Sequence, residues 1–399
     1  MAESRDAITW RPATLQRSAH AAVPNAVLND AGNEFSVVYD DAAHVGAGSP
    51  ERLKCLWGNA TVSVSADGVA WRPFCKWSSK GVDPGTSVFR NPLDTDEIVI
   101  TARPQEMRRA GRHMGTHAAR TWAALGLAEN SQMLPLDETY SVYDQQYGLP
   151  SFAYGGMVVS WFWRYRCPGV HGQCFSGGYV SVAMGYSYNS RNWTAFGQQL
   201  GGGGGASAEA QAAPAPPLPP VPPPKYPLPE IFPNVPGTAT SGQVYPNTLI
   251  EDPNDPTRLL VHASASTHQH GLVGPANWSS LLTYALRKDG FVYAAASGDS
   301  VTFETKPLKW HGGELTVNAD CDAGTGVTIA VMEGGKVLDG FAAANAQKIQ
   351  GDHVAATATW TGHSMQSLAG KTLQLQVTLG GGAKLFSLRG DFSAASSQW

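Results

Sequence analysis

Ser65-Ala66-Asp67-Gly68-Val69-Ala70-Trp71 has the form Ser-x-Asp-x-x-x-Trp, and the chain returns to that form along its length. Ser4-Arg5-Asp6-Ala7-Ile8-Thr9-Trp10 is a second copy, and Ser187-Tyr188-Asn189-Ser190-Arg191-Asn192-Trp193 is a third, with Asn for Asp. Thr116–Trp122 keeps the hydroxyl and the Trp but has Ala118 at the acidic position, and Leu286–Phe291 is a worn fifth copy with Phe for Trp. An Asp or Asn side chain bonds backbone amides two residues on, and Gly at the next position accepts positive φ, so the motif turns a strand tightly. The Trp is then expected to lay its apolar face back over the sheet. A recurrence of roughly 40 to 70 residues, with one small antiparallel sheet per period, is how a β-propeller looks in sequence. The competing reading is chance clustering of Ser, Asp and Trp, against which stand near-copies that each follow an apolar run.

A chain of 399 residues holds two domains, or a propeller with an appendage. Charged residues are 15 %, below the usual quarter or so, while 12 Trp and 44 Gly suit an all-β protein with Gly-built turns. A net charge of −4 without any Lys/Arg run gives no reason to expect a nucleic-acid partner. No apolar stretch is long enough to span a bilayer, and Met-Ala-Glu-Ser-Arg-Asp lacks the apolar segment of a secretory signal. Among five cysteines at least one is unpaired; Cys167 and Cys174 flank a Pro/Gly loop that a disulfide would close, a pairing that sequence leaves open. Neither a Cys-x-x-Cys pair nor a His set at ligand spacing is present, so no metal and no cofactor is expected. Asn59-Ala-Thr, Asn192-Trp-Thr and Asn277-Trp-Ser are glycosylation sequons, relevant only to a secreted chain.

Taken in order, the first ten residues hold a turn motif with almost nothing before it. The first blade is therefore expected to be incomplete and the chain to be a fragment of a longer one. The next module has β-rich runs at 35–39, 53–57 and 61–65, ending on the Trp71 motif. The second has 86–90, 97–102 and an Arg-rich segment up to Trp122. The third has 151–154, 157–165 and 179–186, with the run 158–163 apolar on both faces as in a strand buried on both sides. A Gly/Ala/Pro-rich stretch follows that has no means to build a core and reads as a disordered insertion. Strands at 248–251, 259–265 and 281–286 rebuild a blade after it. Beyond Phe291, short alternating runs between Gly and Asp turns suggest a β-sandwich. The expected organisation is propeller blades over 1–199, the insertion over 200–239, a last blade over 240–291, a β-sandwich over 292–392 and a tail over 393–399.

Tyr284-Ala-Leu-Arg-Lys-Asp-Gly-Phe-Val292, Thr305-Lys-Pro-Leu308, Gly312-Gly-Glu-Leu-Thr-Val-Asn318, Gly340-Phe341 and Ser367-Leu-Ala-Gly-Lys371 succeed one another here. This run resembles the closing strand and C-terminal sandwich of glycoside hydrolase-like five-bladed propeller proteins, related in fold to invertases and arabinanases. The resemblance covers most of residues 1–199 and 240–392. It implies an all-β, five-bladed propeller followed by a sandwich, and a carbohydrate ligand in a funnel at the propeller axis. It also implies carboxylates from different blades, because one carboxyl must protonate the leaving oxygen while another assists attack at the anomeric carbon.

Inner-strand ends are where such groups are sought. Asp40 and Asp41 close the run 35–39, where a solvated Asp-Asp at a strand end is the equal alternative. Arg90-Asn91-Pro92 resembles the invertase-type Arg-Asp-Pro with an amide replacing the acid, and an amide bonds hydroxyls without carrying charge. Asp144 stands near the place of the general acid in the resembled enzymes, without the usual Glu signature. The expected catalytic pair is thus Asp40 with Asp144, and the expected substrate contacts are Arg90, Asn91, Arg103 and His270. Each has a plain alternative: Arg103 and the neighbouring Arg108, Arg109 and Arg112 as a solvated basic edge, and His268-Gln269-His270 as a surface loop. Tyr147, Trp161, Trp163 and Tyr165 are either sugar-stacking or core aromatics. Asn91 in place of the acid argues for glycan binding without turnover, beside the readings of a glycosidase and of a purely structural propeller.

Overall fold

The computed structural model of the protein describes residues 2–12, 36–57, 61–76, 85–102, 114–125, 132–133, 144–166, 177–196, 230–272 and 279–395. Its described elements are strands with only short helical turns between them, so the chain is all-β. It divides into two units, Met1–Ile250 with Leu260–Tyr284, and Glu251–Leu259 with Ala285–Trp399.

The recurring motif makes the same turn in three copies. Asp67 Oδ1 accepts from the backbone amides of Val69 and Ala70 at 2.8 and 2.9 Å and lies 3.0 Å from Ser65 Oγ. Asp6 repeats these bonds with Ile8, Thr9 and Ser4, and Asn189 with Arg191, Asn192 and Ser187. The next residue has positive φ in each, at 56° for Ala7, 75° for Gly68 and 59° for Ser190. The side-chain bonds thus hold a left-handed residue in place even where it is not glycine.

The two worn copies depart from this. Thr116 lies within strand Gly115–Ala119, and at Trp122 a 3-10 turn is capped by Thr121 instead. In the fifth, Asp289 itself takes positive φ and binds Arg389 and Ser387, so the pattern slips by one residue. The expected role of the Trp also divides. Trp122 and Trp193 are buried, Trp71 is half-buried and Trp10 is 44 % exposed, because burial depends on what the next sheet presents to each turn.

In the first unit, Ser36–Asp40, Leu53–Trp57, Thr61–Ser65 and Arg72–Lys76 pair antiparallel in chain order. Ser87–Asn91, Asp94–Ala102, Gly115–Ala119 and Gln132–Met133 repeat that plan. In the third sheet, Asp144–Gly148 and Ser151–Tyr154 both pair with Met157–Arg166, which pairs with Tyr179–Ser187. A single parallel pair, Val180 with Gln243, carries the sheet on to Gln243–Pro246 and then Arg258–Ser266. Strand Asp94–Ala102 shows how sequence sets burial: its acidic first half is exposed or half-buried and its Ile98–Ala102 half is buried on both faces.

Sheets meet through apolar side chains. Leu56 and Val62 of the first sheet pack with Val88, Ile98 and Ile100 of the second and with Trp122 of the turn that follows its third strand. Phe89, Val99 and Met114 of the second pack with Leu149, Val158 and Phe162 of the third. At roughly 1.5–3 kcal/mol per fully buried side chain, these seams are the main stabilising term of the unit. The N-terminal hairpin, Ala2–Glu3 with Arg11–Pro12, seats on Arg258–Ser266: His262 Nε2 donates to the Ala7 carbonyl at 2.6 Å, and Trp10 meets the imidazole edge to face.

Within 230–239, at the end of the Gly/Ala/Pro-rich stretch expected to be disordered, two side chains are buried while 236–238 are exposed. Phe232 is buried and bridges Val182, and Asn234 Nδ2 donates to the carbonyls of Val180 and Thr240.

In the second unit, Leu308–Cys321 pairs with Ala383–Ala394 and Gly351–Thr357, while Thr372–Gly380 pairs with Ser300–Glu304 and Val327–Glu333. Leu373, Leu375, Val377 and Leu379 alternate inward and share one core with Trp310, Leu315, Val317 and Ile329. Among the described residues Cys75 and Cys321 are free thiols, and Cys167 and Cys174 lie outside that set. No described helix is long and apolar enough to cross a membrane.

Candidate functional site

A cleft of about 1110 Å³ opens in the first unit between the ends of its sheets. Asp40, His44, Arg90, Asn91, Tyr147 and His270 all line it, and so do Ser87, Trp163, Tyr245 and Asn247. The sheet ends therefore bring together four of the six residues expected from sequence: Asp40, Arg90, Asn91 and His270.

Asp40 ends its strand at the cleft, and its Oδ1 accepts the backbone amide of Ala42 at 3.0 Å. Arg52 grips the same carboxylate, with Nε 2.9 Å from Oδ1 and Nη2 on Oδ2. The hydrogen bond from Arg52 holds the Asp40 carboxyl below its ordinary range. A carboxylate so held stays ionised, so it carries no proton to give and is a weak base.

Asp41, one residue on, has no solvent exposure. Arg90 reaches across from the second sheet and binds it bidentately, Nε to Oδ1 at 3.0 Å and Nη2 to Oδ2 at 2.9 Å. Buried Lys54 lies 3.9 Å from Asp41, and its Nζ donates to the Glu51 carbonyl. Burial pushes the Lys54 amine down, with the charge of Asp41 opposing the shift. Arg90 thus ties two sheets together at the cleft wall. Asn91 is buried and similarly engaged, its Nδ2 donating to Glu97 at 2.6 Å and its Oδ1 accepting from the Leu93 amide at 3.1 Å.

Aromatics make the floor. Tyr147 stacks on Trp163 at 6.5 Å between centroids, and Tyr245 meets Trp163 edge to face at 4.8 Å. Trp163 fits because Gly148 and Gly85 pass against it; a Cβ on Gly148 would lie 2.4 Å from the indole. The Tyr147 hydroxyl and His270 Nε2 are 2.7 Å apart. Trp161 and Tyr165 are core residues, at 1 % and 0 % exposure.

The Asp144 backbone opens strand Asp144–Gly148 opposite Arg166, three residues before Tyr147, while its side chain lies outside the described set. Arg103 and the Arg108–Arg112 cluster lie outside the described residues. His44, Tyr245 and Asn247 were not singled out from sequence. Tyr245 alternates with Gln243 in a short strand ending on a proline, a weak signal beside the run 248–251. No group of three metal-ligating side chains occurs among the described residues.

No protein-family profile matches this sequence, nor does any curated protein sequence. Among solved structures, the GH93 α-L-arabinofuranosidase of Fusarium graminearum with arabinobiose aligns over 83 % of this chain and 94 % of its own, at 10 % identity and a TM-score of 0.32. The α-L-arabinanase of Penicillium chrysogenum with arabinobiose aligns over 86 % and 92 %, at 8 % identity and a TM-score of 0.32. The Bombyx mori GH32 β-fructofuranosidase aligns over 85 % and 74 %, at 8 % identity and a TM-score of 0.30. Scores this low transfer no residue role to this chain.

Proposed function

We propose that this chain is a carbohydrate-active, glycoside hydrolase-like protein that holds a glycan in the cleft of its first unit. The observation that carries the reading is the cleft lining: a floor of Trp163, Tyr147 and Tyr245 beside hydroxyl, amide and carboxylate groups. A sugar offers an apolar C–H face to such rings and hydroxyls to such walls. In this reading the meander sheets are blades of a five-bladed propeller whose first blade is incomplete. Residues 240–291 form its last blade, 292–392 a β-sandwich, and 200–239 an insertion between blades. The shared apolar seams and the seat of the N-terminal hairpin on Arg258–Ser266 support it.

Turnover would fall to Asp40 and Asp144, at a carboxyl separation of about 5 to 9 Å, with Arg90, Asn91, Arg103 and His270 toward the substrate. Binding without turnover is the second reading, and the Arg52 clamp on Asp40 and the bonds that occupy Asn91 favour it. A glycan array read for binding, followed by product analysis on every bound glycan, tests both. Binding with released sugar supports the hydrolase; binding with intact glycan supports the binding protein; no bound glycan refutes the proposal.

A further inference from the structure

The His268-Gln269-His270 loop is built to aim one imidazole. His270 is pinned by its backbone, its amide donating to the Gly178 carbonyl at 3.0 Å and its carbonyl accepting from the Gly177 amide at 2.6 Å. Gln269 holds the same neighbour, its Oε1 accepting from the Gly178 amide and its Nε2 donating to the Tyr179 hydroxyl. Gln243 Nε2 donates to the His268 carbonyl at 2.8 Å. These bonds hold His270 in place, and its Nε2 meets the hydroxyl of Tyr147. Tyr147 is itself boxed by Trp163, Tyr165 and Tyr245, so its ring has no room to swing.

A phenol held at both ring and hydroxyl, on the floor of a cleft, is a preorganised polar contact in an apolar setting. There a hydroxyl fixed in place before the ligand arrives bonds a sugar hydroxyl at one ring position and not at the next, so a single hydrogen bond discriminates by geometry. We infer that Tyr147 is the specificity-determining residue of the cleft, bonding one hydroxyl of a sugar ring laid on the aromatic floor, and that His270 is its positioning residue. The inference rests on the glycan-binding reading above and goes beyond it by naming the atom that chooses between sugars.

The test uses the full chain on a glycan array, then singly deoxygenated forms of the glycan that binds best. In wild type, one deoxy form is expected to bind about 10-fold more weakly. Tyr147→Phe, which keeps the ring, should bind the parent glycan about 10-fold more weakly and should no longer distinguish that deoxy form from the parent. His270→Leu should lose the same discrimination, and His270→Gln, which still reaches a hydroxyl, should restore it. A residue that merely supports the floor would leave the parent-to-deoxy ratio intact. If Tyr147→Phe keeps the wild-type ratio for every deoxy form, the inference is overturned while the binding reading stands. If wild type binds no glycan on the array, both fall. Should Tyr147→Phe not fold, the His270→Leu and His270→Gln pair decides on the same ratio.

Discussion

Asp40 and Asp41 are chain neighbours of identical chemistry in opposite surroundings, so exchanging each for Asn isolates the effect of burial. The Asp41 carboxylate has no exposure and faces Arg90 at 2.9 and 3.0 Å and Lys54 at 3.9 Å. At an effective dielectric near 20, each attraction is of order 4–6 kcal/mol gross, and desolvation of three charges offsets most of it. Removing this buried charge deprives Arg90 and Lys54 of the anion between them, and Asp41→Asn is expected to cost about 3–5 kcal/mol. Asp40 and Arg52 have side chains 43 % and 37 % exposed, where water screens the pair, and Asp40→Asn should cost no more than about 1 kcal/mol. Lys54→Met supplies the control. Arg90 already matches Asp41, and burial penalises the amine, so this change should stay within about 1 kcal/mol. Urea unfolding read by tryptophan emission is the assay, since Lys54 and Arg90 both lie within 6 Å of the Trp122 ring. Equal costs for the two aspartates, or a Lys54→Met cost matching that of Asp41→Asn, would refute the argument that Asp41 balances a buried pair of cations.

The phenol of Tyr39 is pushed up to about 12, first by burial and then by the charge of Asp41, so phenolate absorbance should show a tyrosine ionising near that pH. Asp41→Asn should lower its midpoint, while Asp40→Asn should move it less. Trp193→Ala is expected to cost roughly 3–5 kcal/mol, since Trp193 is buried among Phe89, Val99 and Phe162, and half-buried Trp71→Ala roughly half as much; thermal unfolding of the two variants checks the order. Joining 199 to 230 should leave the melting temperature within a few degrees, at ~0.6 kcal/mol per doubling of loop length. Extending the deletion to 236 removes buried Phe232 and Asn234 and should lower it markedly.

How much of this was legible beforehand depends on the range of the forces involved. The motif turns are local: Asp6, Asp67 and Asn189 bond amides two and three residues ahead, so seven residues determine them. Alternation and apolar runs likewise marked the strands, and Leu53–Trp57, Thr61–Ser65 and Ser151–Tyr154 occur with the bounds the sequence suggested. The place of Asp40, Asn91 and His270 at sheet ends was also readable, because chain direction in a meander decides which ends meet.

Other features depend on partners far along the chain. Nothing near Asp40 says that Arg52 neutralises it, or that Arg90 binds a carboxylate 49 residues earlier. Trp193 is buried and Trp10 is 44 % exposed, although both end the same motif, because the neighbouring sheet covers one and not the other. Local hydrogen bonds and periodicity thus determined the turns and strands from sequence alone. Which charge is matched, which ring is covered and which hydroxyl meets which imidazole waited on the packing of one sheet against the next.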